Sequence, residues 1–126
     1  MTQSKRILVV EDEAVTALDL QITLTALGHA VVGIASTCEE ALQLAEYHRP
    51  DIVLMDYSLK GPLNGATAAR ELNFSKVRII FLTAHPVESV RDSYGIVFDL
   101  LSKPVRRDEL KQMLATTKPL PLQGRA

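Results

Sequence analysis

The chain has 126 residues, 47% of them hydrophobic, with 14 Lys+Arg against 15 Asp+Glu for a net charge of -1. That length fits one domain with a core it can bury without disulfides, and that hydrophobicity excludes wholesale disorder. The balanced charge excludes nucleic-acid or membrane binding driven by bulk electrostatics, and the single cysteine, Cys38, excludes an internal disulfide.

The basic start, Met1 to Arg6, is followed by too short an apolar run for a signal peptide or a membrane span, so the chain reads as a soluble, cytoplasmic protein. Arg6 to Val10 reads as a buried strand running into Glu11-Asp12-Glu13. Glu13 to Leu27 reads as a helix, with Val15, Leu18 and Ile22 on one face and Gly28 to end it. Ala30 to Ile34 reads as a second strand. Thr37-Cys38-Glu39-Glu40 fits a capping box, which starts a helix running to about Tyr47. Arg49-Pro50-Asp51 breaks the pattern before Ile52-Val53-Leu54-Met55, a strand that runs into Asp56. Tyr57 to Gly65 is a loop rich in turn formers, and Ala66 to Leu72 reads as a short helix. Val77 to Leu82, interrupted only by Arg78, is the fourth strand and runs into Thr83. His85-Pro86 opens a short helix that Gly95 ends. The fifth strand spans Val97 to Ser102 and runs into Lys103-Pro104. Val105 to about Thr116 is the last helix, with Leu110, Met113 and Leu114 on its buried face. The domain is taken as residues 1–117, and residues 118–126 read as a flexible tail.

Alternating strand and helix patterns argue for an α/β fold: a doubly wound, five-stranded parallel sheet with five helices. Right-handed crossovers narrow the topology, and periodicity alone leaves the strand order open. A 2-1-3-4-5 order, flavodoxin-like, is the one that sets the ends of the first and third strands side by side. Ligands of open parallel sheets sit beyond the carboxyl ends of the strands. Four of those ends would bring together two or three carboxylates, a separate Asp, a hydroxyl and an ammonium, a set suited to a divalent cation and a phosphoryl group. Taken alone, Glu11-Asp12-Glu13 is an acidic helix start that suits the helix dipole, Asp56 is a loop cap, and Lys103-Pro104 is an ordinary strand exit. It is their coincidence at one edge that selects the sharper reading. Glu13 is assigned to the helix start and not to the metal, and Cys38 to packing. His29 and His48 fall at element ends and read as surface residues, while His85 lies near the site.

In this order and spacing the residues resemble the receiver domain of two-component response regulators, over roughly Lys5 to Ala115. The pieces that carry the resemblance are Ile7 to Glu13, Asp51 to Asp56, Phe81-Leu82-Thr83-Ala84 and Lys103-Pro104. The resemblance implies that Asp56 accepts a phosphoryl group from the phosphohistidine of a histidine kinase or phosphotransfer protein. It implies that Glu11 and Asp12 hold Mg2+ with Asp56 and the Ser58 carbonyl, that Thr83 hydrogen-bonds the phosphoryl oxygens, and that Lys103 pairs with Asp56 and then with the phosphoryl group. It also implies a cis Lys103–Pro104 bond and a downstream protein partner; the balanced charge, with no helix-turn-helix candidate left over, argues against direct contact with nucleic acid or membrane. The physical logic agrees: an attack by one anion on another needs a cation and an ammonium to offset the repulsion.

The chain departs from the family pattern in three places. The loop after Asp56 is longer by one residue at Lys60-Gly61-Pro62. Leu100 stands where the family usually carries a switching aromatic ring, which shifts the expected signal route to packing around Thr83 to Tyr94. Arg91 to Leu101 matches poorly, so partner choice does not carry over. A phosphorylation-independent interaction module is opposed by Glu11, Asp12, Asp56, Thr83 and Lys103 together. A haloacid-dehalogenase-type Mg2+ phosphatase would need an Asp at the position held by Ser58.

Overall fold

A computed structural model describes residues 4–59, 68, 70–72, 77–84 and 98–115. Its elements are β1 (Arg6–Val10), α1 (Ala14–Ala26), β2 (Ala30–Ala35), α2 (Cys38–His48), β3 (Ile52–Asp56), β4 (Arg78–Thr83), β5 (Asp99–Ser102) and α3 (Arg107–Ala115). Residues 68 and 70–72 are helical as well. Four helical segments are thus seen among the described residues, against five expected. The helix opened by His85-Pro86, most of the loop after Asp56, Val97 and the tail lie outside the described residues.

The strands form one parallel sheet in the order β2-β1-β3-β4-β5, the flavodoxin-like order expected from the sequence. β1, β3 and β4 are continuous apolar runs because helices cover both their faces. On one face Leu8, Val10, Val53, Met55, Ile79 and Phe81 pack against Cys38, Ala41 and Ala45 of α2. On the other, Ile7, Val9, Leu54, Ile80 and Leu82 pack against α1 and against Leu110 and Leu114 of α3. The alternation along each strand follows from the two-residue period of the pleat.

Local chemistry sets the helix ends. Thr37 caps α2, its hydroxyl accepting the Glu40 N–H at 3.1 Å, and Glu40 reaches back to the Ser36 N–H at 2.8 Å, one residue earlier than the usual reciprocal box. Gly28 takes φ +93° after α1, a backbone region that disfavours side chains. Between Ile7 and Leu8 the register against β2 shifts, leaving Val32 extra and setting Gly33 beside Leu8. A Cβ on Gly33 would stand 3.3 Å from the Leu8 side chain and 3.5 Å from that of Leu44.

The inward face of α1, which the sequence left open, is set by the structure, and the expectation for His29 is corrected. The face of α1 that meets the sheet is Ala17, Leu20 and Leu24, while Val15, Leu18 and Ile22 lie on the solvent face at 82%, 54% and 59% exposure. The helix is apolar on both stripes, and Ala17, Leu20 and Leu24 form the one packed against the sheet. His29 is buried, not a surface residue, because its ring Nδ1 accepts the Lys5 backbone N–H at 3.0 Å. Among the described residues no helix is long and apolar enough to cross a membrane.

Candidate functional site

The carboxyl ends of the strands converge as the sheet order requires. Val10 pairs with Met55, which sets Glu11, just past β1, beside Asp56, the last residue of β3. Asp56 pairs with Leu82 and Thr83 with Ser102, so Thr83 closes β4 between Asp56 and the exit of β5. The Glu11 N–H donates to the Ala35 carbonyl at 2.9 Å, and the Lys103 N–H to the Thr83 carbonyl at 2.7 Å. The Lys103–Pro104 bond is cis.

Side chains then meet. The Lys103 ammonium lies 3.3 Å from Glu11 Oε2 and 3.4 Å from Asp56 Oδ2. Both Ser58 donors, its N–H and its hydroxyl, reach Asp56 Oδ1 at 3.1 Å. Glu11 Oε1 accepts the Glu13 N–H at 3.1 Å. The two oxygens of Asp56 are therefore differentiated: one faces an ammonium and the other two neutral donors. Glu11, Asp56 and Thr83 are buried, whereas Asp12 is exposed.

Burial pushes the Glu11 carboxyl above its ordinary value; the Glu13 N–H and Lys103 pull it down, but the neighbouring Asp56 charge adds to the rise. At Lys103, burial works to lower the ammonium's pKa, and the charges and hydrogen bonds of Asp56 and Glu11 outweigh it, so the ammonium is held above its ordinary value.

Glu11, Asp12 and Asp56 can each offer one oxygen such that all three lie within 4.8 Å of one another. Against the single ammonium of Lys103, these three carboxylates leave a formal surplus of two negative charges. Hard oxygen donors with that surplus fit Mg2+, which binds through one or two carboxylates and keeps several waters.

Glu11, Asp12, Asp56, Ser58, Thr83 and Lys103, all singled out from the sequence, are brought to this one edge. His85 lies outside the described residues. Leu100 is half-buried and packs into the apolar layer that holds Phe81 and Phe98. Two relationships escaped the sequence reading. One is the double contact of Ser58 with Asp56, for which a serine two residues past a strand-end Asp is a faint signal. The other is an ion pair between Arg78 and Asp99, signalled by two lone charges inside apolar strands.

The fold and the acidic pocket define a receiver-type domain: a doubly wound sheet with a carboxylate-rich cleft at its carboxyl edge. The chain matches the response regulator receiver domain over residues 7–115 and belongs to that family. It is 40% identical over 100 residues to the phyllosphere-induced regulator PhyR of Methylorubrum extorquens, covering 78% of this chain and 38% of PhyR. It is 36% identical over 111 residues to the transcriptional regulatory protein PdtaR of Mycobacterium tuberculosis, covering 84% of this chain and 53% of PdtaR. The chain thus spans about half, or less, of the length of these relatives. Among solved structures it is similar to the receiver domain of a sensor histidine kinase from Pseudomonas aeruginosa, at 33% identity and a TM-score of 0.77, covering 89% of this chain and 95% of that one. In that receiver a magnesium ion is coordinated in the active-site cleft.

Proposed function

We propose that this chain is a phosphorylation-dependent signalling switch whose Asp56 accepts a phosphoryl group from the phosphohistidine of a histidine kinase or phosphotransfer protein. The observation that carries this reading is the split environment of Asp56, with Lys103 on Oδ2 and Ser58 on Oδ1, beside Glu11 and Asp12. In the transfer the P–N bond of phosphohistidine breaks, an Asp56 oxygen forms the new P–O bond, and a proton restores the neutral imidazole. Glu11, Asp12, Asp56 and the Ser58 carbonyl are the proposed holders of Mg2+. Bound there, the ion would supply positive charge against the transferring phosphoryl oxygens.

The chain's own residues do the rest. Lys103 offsets the charge of Asp56 before transfer and that of the phosphoryl group after it. Thr83, at the end of β4, offers its hydroxyl to a phosphoryl oxygen. Burial of Glu11, Asp56 and Thr83 strengthens the interactions they make. On this reading the domain promotes its own phosphorylation and dephosphorylation and is not an enzyme acting on a separate substrate. Residues 1–117 form the receiver, residues 118–126 a tail, and a downstream protein reads the phosphorylated state.

The test is intact mass after incubation with acetyl phosphate, with and without Mg2+, beside Asp56→Asn. A Mg2+-dependent, base-labile phosphoryl adduct, absent from the variant, is expected. An adduct that persists in Asp56→Asn, or no adduct from acetyl phosphate or from any phosphorylated kinase, would overturn the assignment and return the fold to a binding-only role.

A further inference from the structure

Away from the site, two charges face each other inside the fold. Arg78 opens β4 and Asp99 opens β5. The Arg78 Nε–H donates to Asp99 Oδ2 at 2.9 Å, and a terminal guanidinium nitrogen lies 2.8 Å from the same oxygen, with the side chains 8% and 2% exposed. A buried ion pair is a poor device for stability alone, because desolvation offsets most of its attraction and apolar residues of similar volume do as well. What it adds is direction, since two guanidinium nitrogens close on one Asp99 oxygen and tie the start of β5 to the start of β4.

β5 needs such direction more than the other strands do. It has four residues and, among the described strands, lies at the sheet edge and pairs with β4 alone. Its central residues are Leu100 and Leu101, one on each face. A slip of one position would exchange one leucine for the other, so the apolar pattern specifies the register weakly. Such a slip shifts the chain by about 3.3 Å. Lys103 follows β5 directly, and its ammonium is already 3.4 Å from Asp56 and 3.3 Å from Glu11. A displacement of that size would take it out of contact with both.

We propose that the Arg78–Asp99 ion pair locks the register of β5 against β4, which makes Arg78 and Asp99 positioning residues for Lys103 in phosphoryl transfer to Asp56. The catalytic part of this proposal rests on the assignment of Asp56 above. The lock itself is independent of it. The ion pair holds one end of the short strand and the Lys103 N–H bond to the Thr83 carbonyl holds the other.

The test uses the double substitution Arg78→Met with Asp99→Leu, which replaces the pair by apolar groups, and Asp99→Asn, which keeps the shape and weakens the pairing. Three quantities are read: the thermal midpoint, hydrogen-exchange protection of the Lys103 amide, and the initial rate of adduct formation from acetyl phosphate. The proposal expects the double variant to melt close to the parent, to lose protection at Lys103, and to be phosphorylated on the order of 10–100-fold more slowly. It expects no further slowing when the same change is made in a Lys103→Met background. Parent-like protection and rate in the double variant would overturn it, as would equal slowing with and without Lys103. Should the double variant fail to fold, the same readouts on Asp99→Asn decide by the same criteria. If the parent takes no adduct from acetyl phosphate or from any phosphorylated kinase, the Asp56 assignment fails, and the exchange measurement still decides the lock.

Discussion

The ammonium of Lys103 stands 3.4 Å from Oδ2 of Asp56, reaching across the end of β4, the strand that separates β3 from β5. No local rule of sequence places these two atoms together; the parallel registers of β3 with β4 and of β4 with β5 do. Replacing Lys103 by Met removes the ammonium while keeping most of the apolar stem. Phosphorylation from acetyl phosphate should then slow by about 10²–10³-fold, the usual cost of losing one preorganised charge-stabilising donor. Initial rates from intact mass at fixed Mg2+ measure this, and an unchanged rate would remove Lys103 from the reaction.

Glu11 offers the clearest conflict between stability and function. Its carboxyl is held above its ordinary value of 4.5, mainly by burial, so the folded state binds that proton more tightly than the unfolded chain does. Stability linked to Glu11 is therefore present at low pH and is lost as pH rises through its folded value. In Mg2+-free buffer Glu11→Gln should melt higher than the parent near neutral pH, with the advantage fading as pH falls toward 4.5. Added Mg2+ should reverse the ranking. A site at about a hundredfold excess over Kd gains roughly 2.7 kcal/mol, and the variant should gain much less. Thermal melts at two pH values with and without Mg2+ check both statements.

His29 gives a second pH dependence, of opposite sign. Its Nδ1 accepts the Lys5 N–H, which requires the neutral ring, and burial followed by the Lys5 charge lowers its pKa below 6.5. The unfolded chain therefore binds this proton more readily, and stability falls as pH drops through 6.5 toward the folded value. Titration of the His29 ring by NMR should show a midpoint below the ordinary histidine range. A midpoint at or above 6.5 would contradict the buried acceptor.

The solvent face of α1 carries Val15, Leu18 and Ile22, directly after the Glu11-Asp12-Glu13 turn. Apolar residues grouped on an exposed face mark a contact surface more often than scattered ones do. A protein donor delivering phosphohistidine to Asp56 must cover the ground beside the cleft, whereas acetyl phosphate need not. Leu18→Asp with Ile22→Asp should leave labelling by acetyl phosphate unchanged and slow transfer from a phosphorylated kinase or phosphotransfer protein by about tenfold or more. Equal rates from the protein donor would free this face from donor docking.

The strands were legible in advance because a sheet covered on both faces leaves long apolar runs such as Ile7–Val10 and Ile52–Met55, each closed by a charged residue. The cap of α2 was legible because Thr37 and Glu40 act within one turn. The inward face of α1 was not, since Val15-Leu18-Ile22 and Ala17-Leu20-Leu24 both have helical spacing. His29 was misplaced for a related reason: its partner is the backbone of Lys5, on the strand that precedes α1.

By itself the sequence determined the succession of strands and helices along the chain, and which side chains stand at the strand ends: Glu11 and Asp12, Asp56, Thr83, and Lys103. These depend on local periodicity and on breakers, which act over a few residues. Only the tertiary structure decided that Lys103 bridges Glu11 and Asp56, that Ser58 holds the other oxygen of Asp56, and that Arg78 meets Asp99. Those contacts depend on strand order and register, which are set by the packing of whole faces, and distance along the chain carries no measure of them.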